Sequence, residues 1–362
     1  MTPDLRDRRT APALVLRPAR LADLDAVDRI AAASAIGIGS LPPDRERLRE
    51  KIVRSAHSFA AEGDTSGEET YFFVLEEIAS GRIVGTSGIA AAAGFGDRFY
   101  SYRNEFIVHA SQEIGASNRI HSLHLCHDLT GATLLTSFFI EPEYARGDWP
   151  QLLSRARLLF IAEHARRFFE RIAAEMPGLC DDAGRSPFWD AVGRRFFNLG
   201  YPQAEQLAGG RSKSFIAELM PQYPIYVPLL PDDAQLAIGQ LHATGELPFG
   251  ILIGEGFDAD TYIDVFDGGP TVEARIDRLA SVRASRRMRL VRSDAATQAP
   301  GAGGAVPHLV ATTSASGFRA TIASLHVDAA AEELTLADAV IAALEIAAGD
   351  AVRIVPLHLE ER

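Results

Sequence analysis

Cysteine is almost absent: Cys126 and Cys180 are the only two in 362 residues. Two thiols so far apart give neither a disulfide framework nor a zinc-ligand set, and a reducing compartment is expected. Long apolar runs are missing too. No stretch reaches the roughly 18 uninterrupted apolar residues that a membrane-spanning helix requires. Met1 to Ala11 is charged and lacks the apolar centre of a secretory signal. The chain therefore reads as cytoplasmic, with no membrane partner. Positive charge is in deficit: 36 Lys and Arg against 48 Asp and Glu leave a formal charge of −12. Gripping the phosphates of nucleic acid takes a basic face, so nucleic acid is excluded as a partner, whereas a cationic small substrate is compatible.

With 47% hydrophobic residues the chain can bury a substantial core, enough for one large domain and a small one. Residues 1–12 read as a disordered tail, 13–292 as the main domain, 293–307 as a Gly-rich linker, and 308–362 as a small β-rich subdomain docked on the core. In order, the pattern predicts a strand at Ala13 to Arg17, then helices at Leu21 to Ala33 and Arg45 to Ala60, the second with Asp44 as N-cap. A hairpin follows at Thr70 to Glu77 and Arg82 to Ala93, turning at Ala79-Ser80-Gly81. Arg98 to Gly131 is an additional strand pair or insertion. Later elements are a helix at Pro187 to Leu199, a strand at Phe215 to Met220, a helix from Asp232, a strand at Thr261 to Phe266 and a helical or partly helical Thr271 to Ser285.

The most informative stretch runs from Cys126 to Phe160. Cys126-His127-Asp128-Leu129-Thr130-Gly131 is a polar loop, Ala132 to Ile140 an apolar strand, and Glu141 to Pro150 a connection. From Gln151 the apolar period becomes helical, with Arg155 and Arg157 facing away from the apolar side. A strand that feeds a helix through a short loop can cradle a phosphate, because free N–H groups and the helix dipole converge there. Purely structural crossovers share that layout.

Several uncommon strings carry a resemblance. Cys126-His127-Asp128-Leu129-Thr130-Gly131 leads into Leu134-Leu135-Thr136-Ser137-Phe138. With it come Tyr102-Arg103-Asn104-Glu105, Ser186-Pro187-Phe188-Trp189, and Tyr262-Ile263-Asp264-Val265-Phe266-Asp267-Gly268-Gly269-Pro270-Thr271. Together, over roughly Leu14 to Arg292, these resemble the arginine N-succinyltransferase family. The resemblance implies an α/β (α+β) fold of the GNAT acyltransferase type with a small C-terminal β-rich subdomain. It also implies succinyl-CoA as co-substrate rather than a resident cofactor, the α-amine of L-arginine or L-ornithine as acceptor, and a homologous beta subunit as partner.

The same resemblance places the proposed proton donor at His242, in Ile238-Gly239-Gln240-Leu241-His242-Ala243, where the family's proline after the histidine is replaced by Ala243. A helix-end histidine bonding carbonyls is the structural alternative. Phe138 falls where the family's backbone meets succinyl-CoA, with Ile140 on the same strand and Arg146 in the phosphate loop. That loop departs from the family: Asp148 brings negative charge, Trp149 bulk, and Pro150 has no N–H to donate. Weakened CoA binding is the expectation, and a catalytically impaired subunit supporting an active partner is the alternative function. Asp128 is the first carboxylate for the substrate's guanidinium or ammonium, followed by Glu105, Asp264 and Asp267; each can equally cap a loop. His121, His124 and His127 recur at a spacing of three, but no metal is expected.

Overall fold

The computed structural model describes residues 14–34, 39–62, 66–208, 214–291, 304–328 and 330–358. The expected tail and all but the end of the expected linker lie outside these residues.

The strands are β1 (Leu14–Pro18), β2 (Thr70–Glu77), β3 (Ile83–Ala90), β4 (Ser101–Ser111), β5 (Ala116–Cys126), β6 (Thr133–Ile140), β7 (Arg171–Glu175), β8 (Ile225–Tyr226), β9 (Asp258–Ile263), β10 (Pro270–Arg275), β11 (Arg286–Leu290), β12 (Val306–Thr312), β13 (Ala320–Leu325), β14 (Glu333–Leu334) and β15 (Ala351–Pro356). They form one mixed sheet in the order β14-β11-β15-β12-β13-β1-β2-β3-β6-β7-β10-β9-β4-β5-β8. The helices are α1 (Leu24–Ala33), α2 (Arg45–Ala60), α3 (Trp149–Glu163), α4 (Pro187–Ala191), α5 (Arg194–Phe197), α6 (Tyr201–Ala208), α7 (Ser214–Leu219), α8 (Asp232–Ala237), α9 (Glu246–Glu255), α10 (Ala280–Ala284) and α11 (Asp338–Leu344). This is the expected mixed α/β arrangement, with the C-terminal strands present. They continue the sheet past β1, where Leu16 pairs with Ala320 and the Thr321 hydroxyl donates to the Leu14 carbonyl at 2.7 Å.

Alternation along β2 sets the two layers. Tyr71, Phe73 and Leu75 enter the core shared with α3, whereas Phe72 and Val74 enter the one beneath α1 and α2. The sheet is therefore covered on both faces, and β2 is apolar on both from Tyr71 to Leu75. Asp44 caps α2 as the sequence predicts, its carboxylate accepting from the N–H groups of Glu46 and Arg47.

Four expectations change. Phe215 to Met220 is helical, since Ile216 and Met220, one turn apart, both enter the core around Trp189. Thr271 to Ser285 begins as a strand, because Thr271 to Arg275 fills the gap between β7 and β9 and pairs with both. The helix from Pro187 breaks at Gly193, where a Cβ would lie 2.2 Å from the Trp189 ring. Arg155 and Arg157 do not face solvent: α3 is buried all round from Leu152 to Ile161, taking both arginines inside.

Candidate active site

β6 and β7 run parallel but pair only at Thr133 with Ile172 and Leu134 with Ala173. Beyond those two steps they part, and a cleft of 690 Å³ opens between Leu134 to Phe138 on one side and Ala174 to Pro177 on the other. The α2 face contributes Arg47, Lys51 and Arg54; the opposite face contributes Arg157 of α3, Leu252 of α9 and Thr244.

β6 is not a regular strand where it borders the cleft. Gly88 pairs with Thr136 and Thr86 with Phe139, so three steps on β6 oppose two on β3, and one extra residue bulges out. Ser137 takes it up at φ 55°, in the left-handed region that non-glycine residues seldom occupy. Gly88 is required opposite, because a Cβ there would sit 2.7 Å from the Thr136 hydroxyl. The bulge is held by side chains: Ser137 N–H donates to the Ser40 hydroxyl at 2.9 Å, and Lys51 Nζ donates to both Ser40 O and Ser137 Oγ at 2.7 Å. Lys51 is half-buried as a residue, yet its amine end is enclosed, and that desolvation, helped by the positive charge of Arg54, brings its pKa down to about 7.

Lys51→Met removes the donor that bridges Ser40 and Ser137 while keeping the apolar stem. Because a displacement near 1 Å at a reacting centre can cost about 10²-fold, kcat/KM should fall by about that factor with the melting temperature nearly unchanged. An unaltered kcat/KM would show that the bulge does not position the reaction.

His242 is not among the residues that line the cleft, but its bonding partners Pro177 and Thr244 are. Its backbone N–H donates to the Pro177 carbonyl at 2.8 Å, tying it to the end of the diverging β7, and Leu241 bridges to Gly178. Nδ1 accepts from the Thr244 N–H at 3.3 Å and lies 2.8 Å from the Thr244 hydroxyl. With Nδ1 accepting, the neutral ring carries its proton on Nε2.

The predicted site residues divide. Phe138 lines the cleft, and so does Asp264, whose carboxylate accepts from the N–H groups of Phe266 and Asp267. Ile140 is on the same strand as Phe138, but its side chain packs into the main core. Arg146 is exposed in the turn before α3, away from the cleft lining. Asp128 and Glu105 lie outside the cleft, both paired with Arg103, and Asp128 also accepts from the Tyr262 hydroxyl. The Arg103 guanidinium beside Asp128 holds its carboxyl below the usual range. Asp267 is fully desolvated beside Asp264, which pushes its pKa up to about 7. Its oxygens accept from Gly178 N–H, Gly269 N–H and the Tyr201 hydroxyl, so it braces the cleft floor. Among the described residues no group of three His, Cys, Asp or Glu side chains is gathered to hold a metal ion. His121 stacks on Phe106, and His124 lies beside Ser122 and Glu105.

Sequence reasoning missed Lys51 and Arg157 as cleft residues. Arg157 carried a signal: an arginine in a helix apolar all round has no solvent face to reach. In the turn before α3, the N–H groups of Arg146, Gly147 and Asp148 donate to no acceptor among the described residues. Asp148 lies 3.9 Å from the His358 imidazole.

The family model described as arginine N-succinyltransferase beta subunit matches residues 14–281, and the model for the C-terminal domain of that beta subunit matches 286–356. The chain is 49% identical over 342 residues to arginine N-succinyltransferase subunit alpha of Pseudomonas aeruginosa, covering 94% of this chain and 99% of that one. To the arginine N-succinyltransferase of Enterobacter sp. it is 39% identical over 349 residues, 96% of this chain and 99% of the relative. Among solved structures, arginine/ornithine succinyltransferase subunit AI from Pseudomonas aeruginosa superposes with a TM-score of 0.86 at 45% identity, covering 96% of this chain and 100% of that one. Matches over nearly the full length, at these identities, place the chain in the arginine N-succinyltransferase family.

Proposed function

We propose that this chain transfers a succinyl group from succinyl-CoA to the α-amine of L-arginine, or of L-ornithine, by direct attack of the amine on the thioester. The observation that carries the reading is the cleft opened by the parting of β6 and β7, with the Ser137 bulge on one wall and with Pro177 and Thr244, the bonding partners of His242, in its lining. The names of the relatives supply the substrates.

In that reaction the amine nitrogen bonds to the thioester carbonyl carbon, the carbonyl oxygen takes the negative charge, and the C–S bond then breaks. Unpaired backbone groups along a parted strand can bond a pantetheine arm as an added strand would. The free N–H groups of the turn before α3 suit a diphosphate despite Pro150. As the C–S bond breaks, His242 in its protonated form gives its Nε2 proton to the departing thiolate and is left neutral, and the surplus proton of the newly acylated nitrogen restores it. A homologous chain completes the enzyme as partner. The β4–β5 hairpin, with Phe106, Val108 and Ile114 exposed near its far end, is the surface offered to it.

The full-length match to an enzyme named without a subunit does not favour the reading of this chain as an impaired support subunit. The test is to incubate purified chain with succinyl-CoA and each amino acid, alone and with the homologous chain, following thiol release and the acylated product. Amino-acid-dependent release is expected; no product in either preparation would contradict the proposal.

A further inference from the structure

Three arginines are buried among the described residues: Arg17, Arg155 and Arg157. Two carry a carboxylate with them. Arg17 bonds Asp23 at 2.7 Å and also pairs with Glu76; Arg155 lies 2.8 Å from Glu255. Arg157 differs. It is 2% exposed, and its contacts are all neutral: Nε donates to Ser154 O and Nη2 to Ser154 Oγ, both at 3.0 Å. Nη1 reaches Gly88 O at 3.4 Å and Thr136 O at 3.5 Å. No carboxylate oxygen lies within ion-pair distance of it among the described residues.

A buried charge without a counter-charge is strongly disfavoured, because neutral dipoles replace only part of its hydration. Such a group persists where a ligand supplies the opposite charge. Arg157 is also the one residue of α3 that lines the cleft, and its guanidinium carbon lies 5.8 Å from the Phe138 ring, beside the bulge. The two Nη1 contacts are long and readily exchanged for a ligand oxygen. Burial brings its pKa down to about 9, which still leaves it charged at neutral pH.

We propose that Arg157 is the cleft's carboxylate receptor, binding either the terminal carboxylate of the succinyl group or the α-carboxylate of the amino acid. The planar fork of a guanidinium suits either one, and an acetyl donor or a decarboxylated amine offers neither. This inference rests on the succinyltransferase reading of the same cleft.

Two pairs of ligands separate the sources. Succinyl-CoA is compared with butyryl-CoA, in which a methyl replaces the carboxylate, and L-arginine with agmatine, which lacks the α-carboxylate. Dissociation constants are measured by calorimetry on wild type, Arg157→Gln and Arg157→Lys. Wild type should prefer the carboxylate-bearing member of at least one pair by about 10- to 100-fold, the range expected of a charge-assisted hydrogen bond. Arg157→Gln should abolish that preference by weakening only the carboxylate ligand, and Arg157→Lys should restore part of it. The pair that loses its preference names the source. A wild-type protein without preference in either pair overturns the proposal with no need of a variant, and so does Arg157→Gln with both preferences intact. Wild type that binds none of the four ligands overturns the succinyltransferase reading itself, and the assignment falls with it.

Discussion

His242→Ala should lower kcat for CoA release by about 10²- to 10⁴-fold, the usual contribution of a positioned proton donor, and leave KM for succinyl-CoA nearly unchanged. Proton transfer to the departing thiolate, and from the acylated nitrogen, must accompany C–S cleavage, and with Nδ1 engaged by Thr244 the ring nitrogen left to exchange that proton is Nε2. Because the backbone of His242, and not its ring, is tied to Pro177, alanine should leave the rim of the cleft in place. The kinetic split is therefore informative. A variant with unchanged kcat would return His242 to the structural alternative, a cap whose ring serves only the short turn after it.

The second large effect concerns stability. Arg155 donates to the Ser281 hydroxyl at 2.9 Å and to the carbonyls of Pro356 and Leu357, and it lies 2.8 Å from Glu255. Glu255 accepts from the Ser281 N–H at 2.7 Å and from its hydroxyl at 2.6 Å. One buried network thus joins α3, the end of α9, the start of α10 and the end of β15 with the residue after it. Glu255→Ala leaves Arg155 as an uncompensated buried charge and orphans the Ser281 N–H, so about 3–5 kcal/mol should be lost. Urea midpoints measure it. Arg155→Met combined with Glu255→Leu removes both charges and should recover most of the loss, since well-packed apolar pairs often replace buried ion pairs at little cost. A single variant within about 1 kcal/mol of wild type, the range of an exposed pair, would mean that water reaches this network.

Where local signals and tertiary demands agreed, the fold was readable in the sequence. The Thr70–Glu77 strand and the Arg45–Ala60 helix fall at their expected ends, because apolar period, turn residues and the Asp44 cap all point one way. Thr271 to Arg275 misled because its strand character comes from pairing on both sides, with the adjacent β9 and with β7, which lies about a hundred residues earlier in the chain. Phe138, found by resemblance, and Asp264, one of the second-rank carboxylates, both line the cleft. Asp128 and Glu105 were chosen as carboxylates without knowledge of their partner; Arg103 sits between them because β4 and β5 pair across the hairpin. Lys51 escaped notice for a different reason. On α2 it looks like an ordinary solvated lysine, and only the bulge it meets, 86 residues further along the chain, encloses its amine.

The most direct test of the account is a crystal structure of the chain grown with CoA. The pantetheine arm should lie between the parted ends of β6 and β7 beside Leu135 to Phe138, with its thiol end toward His242 and its diphosphate over the turn before α3. CoA bound elsewhere, with the cleft empty at saturating ligand, would contradict the assignment of this cleft as the site of acyl transfer.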